Sequence, residues 1–241
     1  MDLQELETAI DQASGPEAIW LPLVGFLRGR GLKEIAYQHI PPLGAPDAHL
    51  HRISNDGFPE EWVAIYLEAR ARGATPVAIY AQQNGEPVYW DEIDDLKPLS
   101  PAEQAHLAVL RQSGLGLGLV VPVFGPNGRN GLFGLGLPED LTRLPVEDLR
   151  AVSWACQAAH LRYCALLLPL LGEPPNLSRR ESEVLAWVAR GKSNATIGSI
   201  LGISTHTVDA HLRRIYLKLG VFDRISAALR GLGFGLIQSD G

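Results

Sequence analysis

Asp209, Arg213 and Arg214 share one helical face with Ala210 and Leu217 near the end of this 241-residue chain. On the opposite face Val208, Leu212, Ile215 and Leu219 recur at spacings of four, three and four, which is one buried stripe. A guanidinium fork can bond two acceptors on a guanine edge, and a carboxylate can accept from a cytosine amine. Arg213 and Asp209 have the types and spacing for that chemistry. Arg214, Lys218 and Lys192 are better placed as phosphate contacts, which set affinity and salt dependence rather than sequence choice. Any one of these charges alone would read equally well as a solvated helix face; the arrangement as a whole does not.

The elements that must hold this face are legible around it. Ser178 with Glu181 three residues on forms a capping box, so a helix starts near Arg179 and ends at Gly191, with Val184, Leu185 and Val188 inward. Ser193 caps a second helix carrying Ile197, Ile200 and Leu201. Gly202 makes the turn, and Ser204 caps the third helix, Thr205–Leu219, which is the one suited to a major groove. A last helix is expected over Ile225–Leu232. Charge is divided accordingly. From Asn176 onward there are 9 Lys and Arg against 5 Asp and Glu, while residues 1–175 hold 12 against 22. A basic end on an acidic chain marks one part that meets nucleic acid and one that does not.

Residues 177–237 resemble the LuxR-type helix-turn-helix. The resemblance rests on an RExEVL-like start, a GKSN turn, the run ISxxTVxxHxxxIxxKLGV and a closing GLI. The matching residues include Glu181, Leu185, Gly191, Ile203, Val208, His211, Ile215, Leu219, Gly220, Val221 and Arg224. It implies DNA contact through Lys192, Ser193, Asn194, Ser204, Thr205, Thr207, Asp209, Ala210, Arg213, Arg214 and Lys218. Ala195 and Thr196 depart from the Lys and Glu frequent in the family. His211 belongs to the motif and reads as structural.

The remaining chain must say what controls this module. Asp94 and Asp95 follow no apolar strand, so they read as an exposed acidic turn rather than a phosphoacceptor site. No GxxxxGK[ST] occurs. Strands are expected over Glu34–Ile40, Ala48–Ile53, Leu117–Phe124 and Leu132–Leu137, with a turn at Gly125-Pro-Asn-Gly128. Helices are expected over Leu3–Gln12, Glu17–Arg28, Glu60–Arg72, Pro101–Gln112 and Pro145–Leu168. The fold class is an α+β sensor domain, an α/β/α sandwich with a central antiparallel sheet, followed by a small all-α four-helix helix-turn-helix domain. The sensor domain has roughly 165 residues, ample for one core.

That first part resembles the autoinducer-binding domain of LuxR-type quorum-sensing regulators. Trp62 and Tyr66 at i, i+4, Pro76, Trp90, and Gly118 ahead of Pro122 carry the resemblance. It implies an elongated apolar ligand enclosed by aromatics and oriented by a few polar groups, with Phe58, Trp62, Tyr66, Thr75, Val77, Trp90, Gly118 and Gly134 at the site. Several positions depart from the family. Thr75 stands where an Asp accepts from the ligand amide, Phe58 where a Tyr is frequent, and Gly134 where a small hydroxyl residue is frequent; Val77 offers no hydroxyl. Each lost hydrogen bond to a buried partner costs about 1–3 kcal/mol. The chain is therefore read as a regulator controlled by an acyl-homoserine lactone or a related small apolar signal. The alternative is a LuxR-type regulator that binds DNA without such a lactone, answering to another ligand, a protein partner or nothing. The glycines Gly114, Gly116, Gly118, Gly131, Gly134 and Gly136 read either as pocket space or as close packing of helix on sheet.

Pro169, Gly172, Pro174 and Pro175 break the long helix before them. The expected division is thus a sensor and dimerisation domain over 1–168, a linker over 169–176 and a DNA module over 177–241. Surplus apolar surface on the long helix is expected to face a second subunit, and the resemblance to LuxR-type regulators implies a homodimer on a two-fold symmetric double-stranded DNA site; RNA polymerase stands as a further candidate partner. Cys156 and Cys164 are expected to be reduced core or interface thiols, and the seven His residues show no HxxxH or HExxH, so no metal and no cofactor are inferred. The start of the chain is acidic, with no signal peptide, and no run spans a membrane, so a cytoplasmic protein without membrane partners is expected. No nucleophile elbow, metal motif or phosphate loop suggests an enzyme.

Overall fold

A computed structural model of the chain describes residues 1–49 and 53–237. These fall into two compact units. The described residues of the first lie within Met1–Ile40, His51–Pro126 and Asn130–Leu167. Those of the second lie within Pro41–Leu50, Asn127–Arg129 and Leu168–Gly241. Two short loops thus group with the C-terminal part, which no pattern in the sequence announces.

The first unit is built on a five-stranded antiparallel sheet. Its strands are β1 (Ile35–Ile40), β2 (Ile53–Asp56), β3 (Val88–Tyr89), β4 (Gly118–Phe124) and β5 (Asn130–Gly136), in the order β2-β1-β5-β4-β3. Side chains alternate across it, as a pleated strand requires. Leu119, Val121, Val123, Phe133, Leu135, Ile35 and Tyr37 enter one core, together with α1 (Leu3–Gln12), α2 (Pro16–Arg28) and α7 (Val146–Leu167). Val120 and Leu132 enter a second core on the other face, with α3 (Glu60–Ala71), α4 (Pro76–Asn84) and α6 (Pro101–Gln112). This is the expected sandwich. The strand expected over 48–53 is displaced: Ala48 and His49 lie in a turn, pairing begins at Ile53, and residues 50–52 lie outside the described residues. Three elements have no counterpart in the sequence reading: α4, β3 and the one-turn α5 (Ile93–Leu96). Nine, two and four residues are too few to display a period. Asp94, expected in an exposed turn, lies in α5 and pairs with Arg111.

In the second unit α8 (Arg179–Ala189), α9 (Asn194–Leu201), α10 (Thr205–Leu219) and α11 (Arg224–Gly233) enclose a core of Val184, Leu185, Val188, Ile197, Val208, Leu212, Ile215 and Leu219. Each helix has a side-chain cap, from Ser178, Ser193, Ser204 and Asp223 in turn. Gly198 permits the tight α9–α10 approach, since a Cβ there would lie 2.7 Å from the Ile203 carbonyl oxygen. The expected linker opens with a 3-10 turn over Leu168–Leu171. The same unit holds a fully buried ion pair between loop residues. Arg129 donates from Nε (3.1 Å) and Nη2 (2.7 Å) to the two carboxylate oxygens of Asp47.

Candidate ligand cavity and nucleic-acid face

The second core of the sheet is incompletely filled. A cavity of about 90 Å³ lies between the sheet and α3, α4 and α6, several times the ~10–15 Å³ that holds one water. Ala36, Gly134 and Val120 form one cross-strand row of its wall, and Phe58, Trp62, Tyr66, Val77 and Trp90 supply most of the rest. Seven of the eight residues selected from sequence therefore line it, Thr75 and Gly134 included. Gly118 does not. It sits behind Trp90, where a Cβ would collide with the indole ring and lie 2.5 Å from the Leu135 carbonyl oxygen.

Among the described residues no Asp, Glu, Lys or Arg lines the cavity. Its polar groups fall into two kinds. Tyr66 donates its hydroxyl to Gln38 Oε1 at 3.0 Å, and burial pushes its phenol pKa upward. Thr75 Oγ1 and His106 Nδ1 are buried without a hydrogen-bond partner among the described residues. Thr75 is the N-cap of α4, a position from which a hydroxyl ordinarily accepts a backbone N–H, yet it makes no such bond. His106 stacks on Trp62 with ring centroids 5.5 Å apart, and burial lowers its pKa, which favours the neutral imidazole. Leaving such groups unpaired costs about 1–3 kcal/mol each. A ligand offering a donor and an acceptor would recover that.

On the second unit α10 presents Arg213, Arg214 and Thr205 to solvent, with Asp209, Ala210 and Thr207 half-buried. Arg213 and Asp209 pair along the helix at 3.0 Å. Ser193 Oγ accepts from the Thr196 N–H and Ser204 Oγ from the Thr207 N–H, so both are caps first. Lys192 is exposed, whereas Asn194 Oδ1 accepts from Arg224. Lys218, expected on phosphate, is exposed on α10, and its Nζ also lies 2.7 Å from Glu181, a carboxylate buried to 2% exposure. Burial alone would raise the Glu181 pKa; Lys218 and the Ser178 backbone outweigh it and hold the group ionised.

Two family profiles cover the chain, one described as "Autoinducer binding domain" over residues 15–163 and one as "Bacterial regulatory proteins, luxR family" over 175–230. This chain belongs to the LuxR family of autoinducer-binding transcriptional regulators. It is 29% identical to the transcriptional activator protein SolR of Ralstonia solanacearum, over 98% of this chain and 99% of that one. Its fold matches the crystal structure of Escherichia coli SdiA with a TM-score of 0.67 at 19% identity, covering 98% of each chain. SdiA in complex with octanoyl-rac-glycerol matches with a TM-score of 0.63, also at 19% identity, over 98% of this chain and 96% of that one.

Within this LuxR-family unit the glycines divide by position. Gly118, Gly131 and Gly136 make room for Trp90, Tyr37 and Glu34 respectively, and of the glycines on β4 and β5 only Gly134 opens to the cavity. Gly118→Ala is therefore expected to cost about 1–3 kcal/mol by forcing the indole aside; an unchanged urea midpoint would contradict the packing described. His106, Gln38, Ala36, Leu107 and Leu110 are lining residues that the sequence reading passed over. His106 and Leu110 stand at i, i+4 on α6, so an inward stripe was available as a signal. Its polar member was not distinguishable there from a solvated histidine.

Proposed function

We propose that this LuxR-family regulator is controlled by an uncharged, elongated apolar molecule with a small head group that both donates and accepts hydrogen bonds. The observation that carries the reading is the pair of unpartnered polar atoms, Thr75 Oγ1 and His106 Nδ1, on the wall of a cavity that no Asp, Glu, Lys or Arg lines among the described residues. Acyl-homoserine lactones and acylglycerols both fit that description. SdiA in complex with octanoyl-rac-glycerol supports the second class. Thr75 in place of a carboxylate supports it too, since an amide N–H loses its anionic acceptor.

In this reading residues 1–168 are the sensor, 169–176 the linker and 177–241 the DNA module. Ligand completes the second core, stabilises a homodimer and sets the spacing of two DNA modules on a two-fold site. Exposed Trp154 and Leu161, at i, i+7 on α7, support pairing of sensors; exposed Phe222 and Ile225 support a second contact through α11. Arg213 and Asp209 read base edges. Arg214, Lys192 and the capped N-termini of α9 and α10 hold phosphates.

The test is thermal unfolding of the full chain with a panel of acyl-homoserine lactones and monoacylglycerols. A ligand at 100 times its Kd adds about 2.7 kcal/mol of stability. Stabilisation by acids or amines but by no neutral acyl compound would sink the proposal. Independently, Arg213→Ala should relax base preference at one position per half-site while leaving ligand binding intact; a selected-site binding profile identical to wild type removes Arg213 from base reading.

A further inference from the structure

On the opposite face of the sheet from the cavity, three metal-binding side chains converge inside the core. His39 on β1 and His160 and Cys164 on α7 are each fully buried. Their donor atoms all lie within 4.8 Å of one another. His160 and Cys164 are i, i+4 on one helix face, with Nε2 and Sγ 3.6 Å apart. A single ion with metal–sulfur and metal–nitrogen distances of about 2.3 and 2.0 Å holds such atoms about 3.6–3.8 Å apart. The pair therefore already stands at ligand separation, and the His39 ring closes the set by moving about 1 Å.

The surroundings complete the arrangement. His160 Nδ1 lies 2.7 Å from the Tyr37 hydroxyl. With Nδ1–H donating to that oxygen, Nε2 presents its lone pair to the ion, the usual way an outer partner fixes a ligating imidazole. A groove of about 520 Å³ lined by Trp20, Tyr37, Ala159, His160 and Tyr163 reaches one of the three ligands, His160. Charge selects the ion. One thiolate and two neutral imidazoles around Cu(I) form a neutral complex suited to three-coordination. The same ligands around Zn(II) leave a net positive charge in the core and an empty fourth position.

We infer that His39, His160 and Cys164 form a binding site for one copper(I) ion. Binding converts the Cys164 thiol to a thiolate–copper bond and releases its proton to solvent, with no change of oxidation state. The sequence shows only part of the set, His160 and Cys164 at i, i+4, because the third ligand comes from a strand remote in the chain.

The test uses the full chain under anaerobic, reducing conditions, titrated with Cu(I) against the chromogenic chelator bicinchoninate. The expected result is one copper per chain. X-ray absorption of that wild-type complex should show one sulfur and two nitrogen scatterers. Cys164→Ser should abolish retention against the chelator, whereas Cys156→Ser, which alters the other buried thiol, should keep it. No retention by wild type, an absorption spectrum without sulfur, or loss in Cys156→Ser alone would overturn the assignment. Zinc(II) retained as tightly as copper(I) would overturn the choice of ion.

Discussion

Asp47→Ala is expected to destabilise the second unit by about 3–5 kcal/mol, the cost of leaving one partner of a buried ion pair behind. Arg129 is 1% exposed and Asp47 0%, and the guanidinium contacts both carboxylate oxygens. Deleting the carboxylate removes the acceptor of Nε and Nη2 from a guanidinium held almost entirely away from water. The value is not the worth of the pair, because an apolar replacement of both partners avoids the desolvation cost altogether. The measurement is urea unfolding of Asp47→Ala beside the double variant Asp47→Leu/Arg129→Met. The single variant should show a large drop in midpoint, and the double variant should recover most of it. A single variant within 0.5 kcal/mol of wild type would mean that the charge reaches solvent.

The pair was invisible in the sequence for the same reason as the copper site: its members come from separate segments. What the sequence made legible was local. Ser178 with Glu181, Ser193 and Ser204 announced three helix starts, and all three caps form. The stripe of Val208, Leu212, Ile215 and Leu219 located the buried side of α10, and all four are buried. The resemblance to autoinducer-binding domains singled out Trp62, Tyr66 and Trp90, and all three line one cavity. Lys218 shows what such reading leaves out. Its exposed-face position suggests phosphate, and the same ammonium also pairs with the Glu181 that completes the Ser178 capping box. A residue's period gives its face; only the fold gives its partner. The missed α4 makes the same point, for its nine residues bury Pro76, Val77, Ala78 and Ala81 without an amphipathic pattern.

Thr75→Val should leave the free protein as stable as wild type or slightly more so, and should weaken ligand binding about 5- to 150-fold, the equivalent of about 1–3 kcal/mol. The two outcomes are linked by one physical fact. Valine keeps the branched shape that fills the α4 N-terminus but removes a buried hydroxyl that has no partner among the described residues. The free state thereby sheds a desolvation cost, and the bound state loses a hydrogen bond. Thr75→Asp tests the opposite sign. With no Lys or Arg on the cavity wall among the described residues, a carboxylate there is held protonated or destabilises the free protein. Only a ligand with an N–H donor would repair it, so this variant should shift preference toward acyl amides and away from acylglycerols. If Thr75→Val instead lost stability and kept its affinity, the hydroxyl would be serving the fold, and His106 would be left as the polar anchor of the cavity. That pattern would locate the head group at α6 rather than at α4.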